Sequence, residues 1–178
     1  MSGYDFKVPP LSWEQIRAVS DNLRTNLGLA SEPYFPIMEV IERVLDQRLG
    51  LVRLEVGTYA EMKGAEGHTC PSGDFIELRN DVYVAAWKGE GRARFTAAHE
   101  LGHLLLHTNV PLARAKQEDN VKPFRRSEPQ ANRFAAELLM PPRFFAPSDD
   151  IGEVAKRHGV SMEAAHHRLS DLKKRGKL

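Results

Sequence analysis

The sequence holds a single cysteine, Cys70, among its 178 residues. That excludes an internal disulfide framework and suits a reducing compartment. No apolar run approaches the roughly 18 residues that a membrane span needs. The first ten residues carry Asp5 and Lys7 and lack the apolar stretch of a secretion signal. Charge of one sign is lacking too. Lysine and arginine number 25 against 24 aspartates and glutamates, and the net charge of +1 gives no global pull toward nucleic acid or membrane. Internal repeats and low-complexity tracts are absent. Hydrophobic residues make up 42%, enough for a real core. These exclusions leave a soluble, cytoplasmic protein of one domain, or one domain with a small appendage.

Local patterns then place the elements. Residues 1–11 read as a loose arm. Ser12-Trp13-Glu14-Gln15 has the form of a capping box, and Ile16, Val19, Leu23 and Leu27 make the apolar stripe of the helix that follows. Pro36 suits a first helical turn, and Ile37, Val40, Ile41, Val44 and Leu45 carry a second helix to about Arg48. Residues 51–56 read as a strand. Pro71-Ser72-Gly73-Asp74 is a turn between candidate strands at 65–69 and 75–79, and 81–87 reads as a further short strand or an irregular link. A helix at about 92–107 is apolar almost all round, which marks a central element. Residues 109–126 are polar and aperiodic, a long loop. Ser127-Glu128-Pro129-Gln130 resembles a second capping box, opening a helix that Pro141-Pro142 stops. Ser148 is placed to cap a helix to about Arg157, and Gly159-Val160-Ser161 to turn the chain into a last helix from Met162. The predicted fold is α+β, mainly helical, with a small antiparallel sheet.

Inside the central helix lies His99-Glu100-Leu101-Gly102-His103. Helical residues four apart share a face, so His99 and His103 can aim at one ion. Glu100 is turned about a hundred degrees away. Its carboxylate then sits beside the metal, where a base for metal-bound water belongs. Gly102 costs the helix about 0.5–1 kcal/mol and suggests that another backbone packs closely there. A catalytic zinc takes three protein ligands and keeps one position open, so a third ligand is needed. A third histidine six residues past His103 is excluded, because that position is Asn109. Glu128, Glu137 and Glu118 remain. Glu128 is favoured: it opens a well-marked helix, and Asn132, four residues on, can hydrogen-bond a ligand histidine. Glu137 stays open, and Glu118 would have to order a loop. His107 lies one turn past His103, too far along a straight helix to share the ion. Its reading is support of a ligand from behind, or a satisfied core position.

With Arg94-Phe95-Thr96-Ala97-Ala98-His99-Glu100-Leu101-Gly102-His103 and the block from Glu128 through Ala131-Asn132-Arg133-Phe134-Ala135-Ala136-Glu137 to Pro141, the sequence resembles the ImmA/IrrE family of metallopeptidases. The resemblance covers roughly 35–165. It leaves out the N-terminal helix and implies a zincin-like core at 31–147; an arm and helix at 1–30 precede the core, and a C-terminal helix pair at 148–178 packs on it. It implies zinc held by His99, His103 and Glu128, with Glu100 as catalytic base. Gln130 stands where the family often has an acidic residue. The implied activity is that of a bacterial or phage-associated endopeptidase. Its substrate would be a helix-turn-helix repressor, cut to relieve repression in a mobile-element, phage or stress response.

Zinc chemistry of this kind also needs an oxyanion donor, for which Tyr83, His68 and Arg94 are candidates. Strand 75–79 is either an edge that pairs with an extended substrate or a plain structural strand. Residues 151–172 have helix-turn-helix character, and Arg168, Lys173, Lys174, Arg175 and Lys177 add positive charge. Asp149, Asp150, Glu153, Glu163 and Asp171 dilute it, which favours packing or substrate docking over DNA binding. The alternative function is a non-proteolytic, metal-containing module, either partnered with a DNA-binding protein or binding DNA through 151–174. A structural zinc would want four protein ligands, and three convincing ones favour catalysis. Cys70 reads as an inert thiol sooner than as a blocking ligand. Lys122, Arg125 and Arg126 read as a solvated loop face sooner than as a guide for an acidic substrate.

Overall fold

A computed structural model of the chain describes residues 5–110, 113–114 and 121–178. The candidate ligand Glu118 lies outside them. In chain order the elements are β1 (Phe6–Lys7), α1 (Trp13–Asn26), a π-helix (Glu39–Arg48), β2 (Arg53–Gly57), β3 (Gly67–Thr69), β4 (Phe75–Arg79) and α2 (Asn80–Trp87). They continue with α3 (Gly91–His107), β5 (Ala113–Arg114), α4 (Ser127–Leu139), α5 (Ile151–His158) and α6 (Met162–Lys174). The fold is α+β. Among the described residues no helix is long and apolar enough to cross a membrane.

The strongest apolar patterns meet at the centre. One cluster joins Ile16 of α1, Leu101 of α3, and Phe134 and Leu138 of α4 with Val154 of α5 and Leu169 of α6. Ser12 caps α1 reciprocally: its hydroxyl accepts the Gln15 N–H at 3.2 Å, and the Gln15 side chain accepts the Ser12 N–H at 2.8 Å. α3 and α4 touch at Gly102, where a Cβ would lie 3.2 Å from both Cα and O of Ala131. The glycine therefore sacrifices helix propensity for close approach of the two helices that carry the candidate ligands.

The sheet is mixed where an antiparallel one was expected. Its order is β2-β4-β3, with β2 parallel and β3 antiparallel to β4. The turn at 71–74 lays β3 along one side of β4, and β2 takes the other side, running in the same direction. Strand 75–79 is therefore central and not an edge, with Ile76 and Leu78 fully buried. Among the described residues β2 and β3 are the two outer strands, and β3 is the one beside Glu100. The Arg79 N–H donates to Glu66 O at 3.1 Å and the Cys70 N–H to Phe75 O at 3.0 Å. By antiparallel alternation, Gly67 and Thr69 turn their N–H and C=O groups away from β4, toward the outer side of β3.

Four further expectations are corrected. Residues 80–87 form helix α2, because Val82 and Ala86, four apart, are the positions that bury. Tyr83 and Trp87, also four apart, both bond Glu42, at 3.0 and 2.9 Å. The arm is not loose from Asp5 on: β1 pairs with β5, Lys7 bridges to Arg126, and the Asp5 carboxylate meets Arg126 at 2.6 Å. Ser127 is not a cap but the first residue of α4, and its hydroxyl accepts the Phe6 N–H at 3.0 Å. The Asp5 carboxylate accepts the Glu128 N–H at 3.3 Å instead, an anion placed at a helix start. Finally, Asp150 caps α5 in place of Ser148, accepting the Glu153 N–H at 2.9 Å.

The C-terminal helices are locked to α3 by Arg94. Its buried guanidinium donates to His158 O at 2.9 Å, to Gly159 O, and to Phe35 O at 2.5 Å. One turn earlier, a Cβ on Gly91 would lie 2.2 Å from the carbonyl carbon of Val160, so the helix start abuts the α5–α6 turn directly.

Candidate metal centre

α3 presents His99 and His103 one turn apart, and α4 brings Glu128 across from them. The two Nε2 atoms lie 2.9 Å apart. Glu128 Oε2 is 3.2 Å from His99 Nε2, and Oε1 is 3.2 Å from His103 Nε2. Each residue thus offers an atom to a common point, two imidazole nitrogens and a carboxylate. Ligand atoms about 2.0–2.1 Å from a tetrahedral zinc stand about 3.3 Å from one another. The cluster is that size within a few tenths of an ångström, and its donor set is the two-histidine, one-glutamate type. The residues fit the metal.

The outward nitrogens are occupied. His99 Nδ1 lies 3.0 Å from Asn132 Oδ1, so the ring donates there and keeps its Nε2 lone pair for the cluster. His103 Nδ1 lies 3.0 Å from His107 Nδ1, and His107 Nε2 lies 3.0 Å from Gln130 Oε1. Burial pushes the His107 imidazole down to about 4, so it is neutral at ordinary pH. Desolvation opposes charge on His99 and Glu128 as well. The hydrogen bond to Glu128 and the neighbouring carboxylate charges nevertheless raise His99, and the two imidazoles hold Glu128 well below the usual carboxylate range.

Glu100 is fully buried and faces β3. The Thr69 hydroxyl donates to its Oε2 at 2.7 Å, while its Oε1 has no hydrogen-bond partner among the described residues. Gly67 makes room for it, since a Cβ there would lie 2.7 Å from Glu100 Cγ. A buried carboxylate oxygen without a donor is costly, and it leaves Glu100 with one oxygen able to take a proton. The model of the IrrE N-terminal-like domain, a peptidase family, matches residues 59–170. The chain belongs to the ImmA/IrrE family. No curated protein and no solved structure matches it. The matched span starts later than the resemblance read from the sequence and runs further into α6.

Other candidates for the site of this ImmA/IrrE family chain sort by position. Glu137 is no ligand: it is buried in an ion cluster with Arg168 at 2.7 Å, Arg17 at 3.1 Å and Arg133 at 2.5 Å. Tyr83 bonds Glu42 and Arg94 bonds main-chain carbonyls, so neither serves as an oxyanion donor. His68 alternates with Gly67 and Thr69, is exposed, and lays its ring beside Phe75, centroids 6.1 Å apart. It lines a cavity of about 130 Å³ with Phe6, Cys70, Glu100, His103 and Glu128. There the Cys70 thiol lies 2.9 Å from the Ser72 hydroxyl, whose hydrogen bond lowers it from the usual thiol range. Arg126 is occupied with Asp5, whereas Lys122 and Arg125 are exposed. Arg168, counted among the positive charges of a DNA-binding face, is buried against Glu137 and does not reach solvent. On the other side of the metal cluster a cavity of about 600 Å³ opens beside His99 and Glu100, with Trp13, Phe95, Ala136 and Met140 in its wall. Neither Gln130 nor Asp5 has the sequence pattern of a site residue. Gln130 was legible only as a departure from the family pattern, and Asp5 carries no local signal.

Proposed function

We propose that the chain is a zinc-dependent endopeptidase that cuts a regulatory protein of the helix-turn-helix repressor class in the cytoplasm. The observation that carries this reading is the convergence of His99, His103 and Glu128 beside a buried Glu100 carboxylate and the outer strand β3. His99, His103 and Glu128 would hold the zinc. When bound, zinc polarises a peptide carbonyl and lowers the pKa of water.

The protein groups do the rest. Glu100 takes a proton from the attacking water and gives it to the departing amide nitrogen, so a C–O bond forms as the C–N bond breaks. Thr69 holds the carboxylate by one oxygen and leaves the other for the proton. The outward N–H and C=O groups of Gly67 and Thr69 pair with the main chain of an extended substrate segment. Apolar substrate side chains seat in the larger cavity beside His99 and Glu100. Family membership supports the repressor class of substrate, and pairing along β3 calls for a segment that is unfolded or unfolds locally before it is cut.

The test pairs the zinc-loaded chain with a helix-turn-helix repressor encoded beside it. Expected are about one zinc per chain, lost in His99→Ala, and repressor cleavage abolished by chelator. Glu100→Gln should keep the zinc and lose cleavage. Binding of the repressor without cleavage would favour the non-proteolytic module. A Glu100→Gln variant that still cuts would remove Glu100 from the mechanism.

A further inference from the structure

The hydrogen bonds behind His103 run in one direction only, and their direction is set at Gln130. The Gln130 amide nitrogen lies 2.9 Å from Pro9 O and 2.8 Å from Phe124 O. Both are carbonyl oxygens, which only accept, so the NH2 group must point at them. A flipped amide would put its oxygen against two oxygens at those distances. Gln130 Oε1 is therefore fixed toward His107, where it lies 3.0 Å from Nε2. It can only accept, so His107 carries its proton on Nε2. With its proton on Nε2, His107 offers Nδ1 as the acceptor, and the proton in the 3.0 Å contact comes from His103 Nδ1. With its proton on Nδ1, His103 turns a bare Nε2 toward His99 and Glu128. The opposite direction would place a proton on His103 Nε2, inside the ligand cluster, and spoil it as a ligand.

We propose that Gln130 is a positioning residue for the metal centre: through His107 it sets the tautomer of His103 and so makes Nε2 the ligand atom. The inference rests on the reading of His99, His103 and Glu128 as a metal site. Nothing local distinguishes His107 from a core histidine. Gln130 and His107 are both buried, on different helices, and the two carbonyls that fix the amide come from the arm and from the loop before α4.

The experiment uses the full chain and two readouts. Imidazole ¹⁵N spectra of the wild type, with and without zinc, should give His107 as the Nε2–H form, and a His107 with its proton on Nδ1 would overturn the proposal. Zinc affinity, measured by competition with a chromophoric chelator, supplies the second readout. Gln130→Met has no acceptor, frees His107 to reverse, and should bind zinc on the order of 10–100-fold more weakly. Gln130→Glu keeps the acceptor for His107 but loses both donor bonds. It should be less stable than wild type while keeping zinc affinity within a few-fold. If zinc affinity instead follows stability, falling as far in Gln130→Glu as in Gln130→Met, Gln130 only packs. A wild type that binds no zinc would sink the metal reading itself, and the His107 spectrum would still report the direction of the bonds.

Discussion

Lowering the pH should loosen the joint between the C-terminal helices and the core, through one residue far from the metal. His158 ends α5 with no exposed surface. Its Nδ1 donates to Pro33 O at 3.1 Å, its ring stacks on Phe145 with centroids 5.3 Å apart, and its Nε2 has no hydrogen-bond partner among the described residues. Burial, helped by the charges of Arg157 and Arg24 and opposed by the backbone of Pro33 and Leu139, pushes the imidazole down to about 4. In the unfolded chain it titrates near 6.5. Between those values the unfolded chain binds a proton that the folded chain refuses. Stability from this residue is therefore complete above about pH 6.5 and declines as the pH falls toward 4. A gap of about 2.5 pH units corresponds to about 3.4 kcal/mol in all, of which about 2 kcal/mol is lost between pH 7.5 and 5. Urea denaturation of wild type and His158→Asn at those two pH values measures it. Asparagine keeps a donor for Pro33 and does not titrate, and the metal-site histidines contribute equally to both proteins. Wild type should lose about 2 kcal/mol more than the variant on acidification. Equal losses would refute the reasoning, because they would mean that the folded protein accepts the proton on His158 as readily as water does.

Three other outcomes follow from the packing. Gly67→Ala places a methyl 2.7 Å from Glu100 Cγ and 2.8 Å from its Oε1, and should displace the base. Cleavage should fall on the order of 100-fold at unchanged zinc content, and a wild-type rate would contradict the role of Glu100. Gly91→Ala meets main-chain atoms of Val160 and Ser161 at 2.2 and 2.3 Å, which cannot turn aside as a side chain can. It should cost about 1–3 kcal/mol, read as a lower urea midpoint, and an unchanged midpoint would mean that the two segments are not in contact. Removing zinc should lower Tm, because ligands from α3 and α4 meet only in the folded chain. Zinc at a hundred times its Kd adds about 2.7 kcal/mol, and the chelator effect should vanish in His99→Ala.

What could be read in the sequence was whatever a single helix or turn encodes. His99, Glu100 and His103 sit at helical spacing, Gly102 announces a close neighbour, and Ser12 with Gln15 writes out its own cap. Glu128 and Asn132 were reachable because they share one face of the next helix. The misreadings arise where distant chain decides. Ser127 looks like a cap until Asp5, more than a hundred residues earlier, takes the N–H of Glu128. Arg168 looks like a charge for solvent until Glu137 appears beneath it. Strand 75–79 looks like an edge because its neighbour β2 is parallel and comes from before the β3 hairpin, which no hairpin signal predicts. Val82 and Val84 suggest alternation, and only the burial of Val82 with Ala86 shows a helix.

The span that identifies the family, 59–170, does not contain all of the site. Asp5 holds the first turn of α4 where Glu128 sits, Phe6 walls the smaller cavity, Pro9 fixes the Gln130 amide, and Trp13 walls the larger cavity. All four come from the N-terminal arm and the start of α1. The candidate ligands lie inside the matched span, and part of what surrounds them lies before it. Differences in metal affinity and substrate choice between this protein and others of its family should therefore map to residues 5–13 as much as to the histidine helix. Exchanging that segment, with α3 and α4 untouched, is the perturbation that separates the two contributions. If the matched span alone set the site, the exchanged chain would bind zinc and select substrate as before.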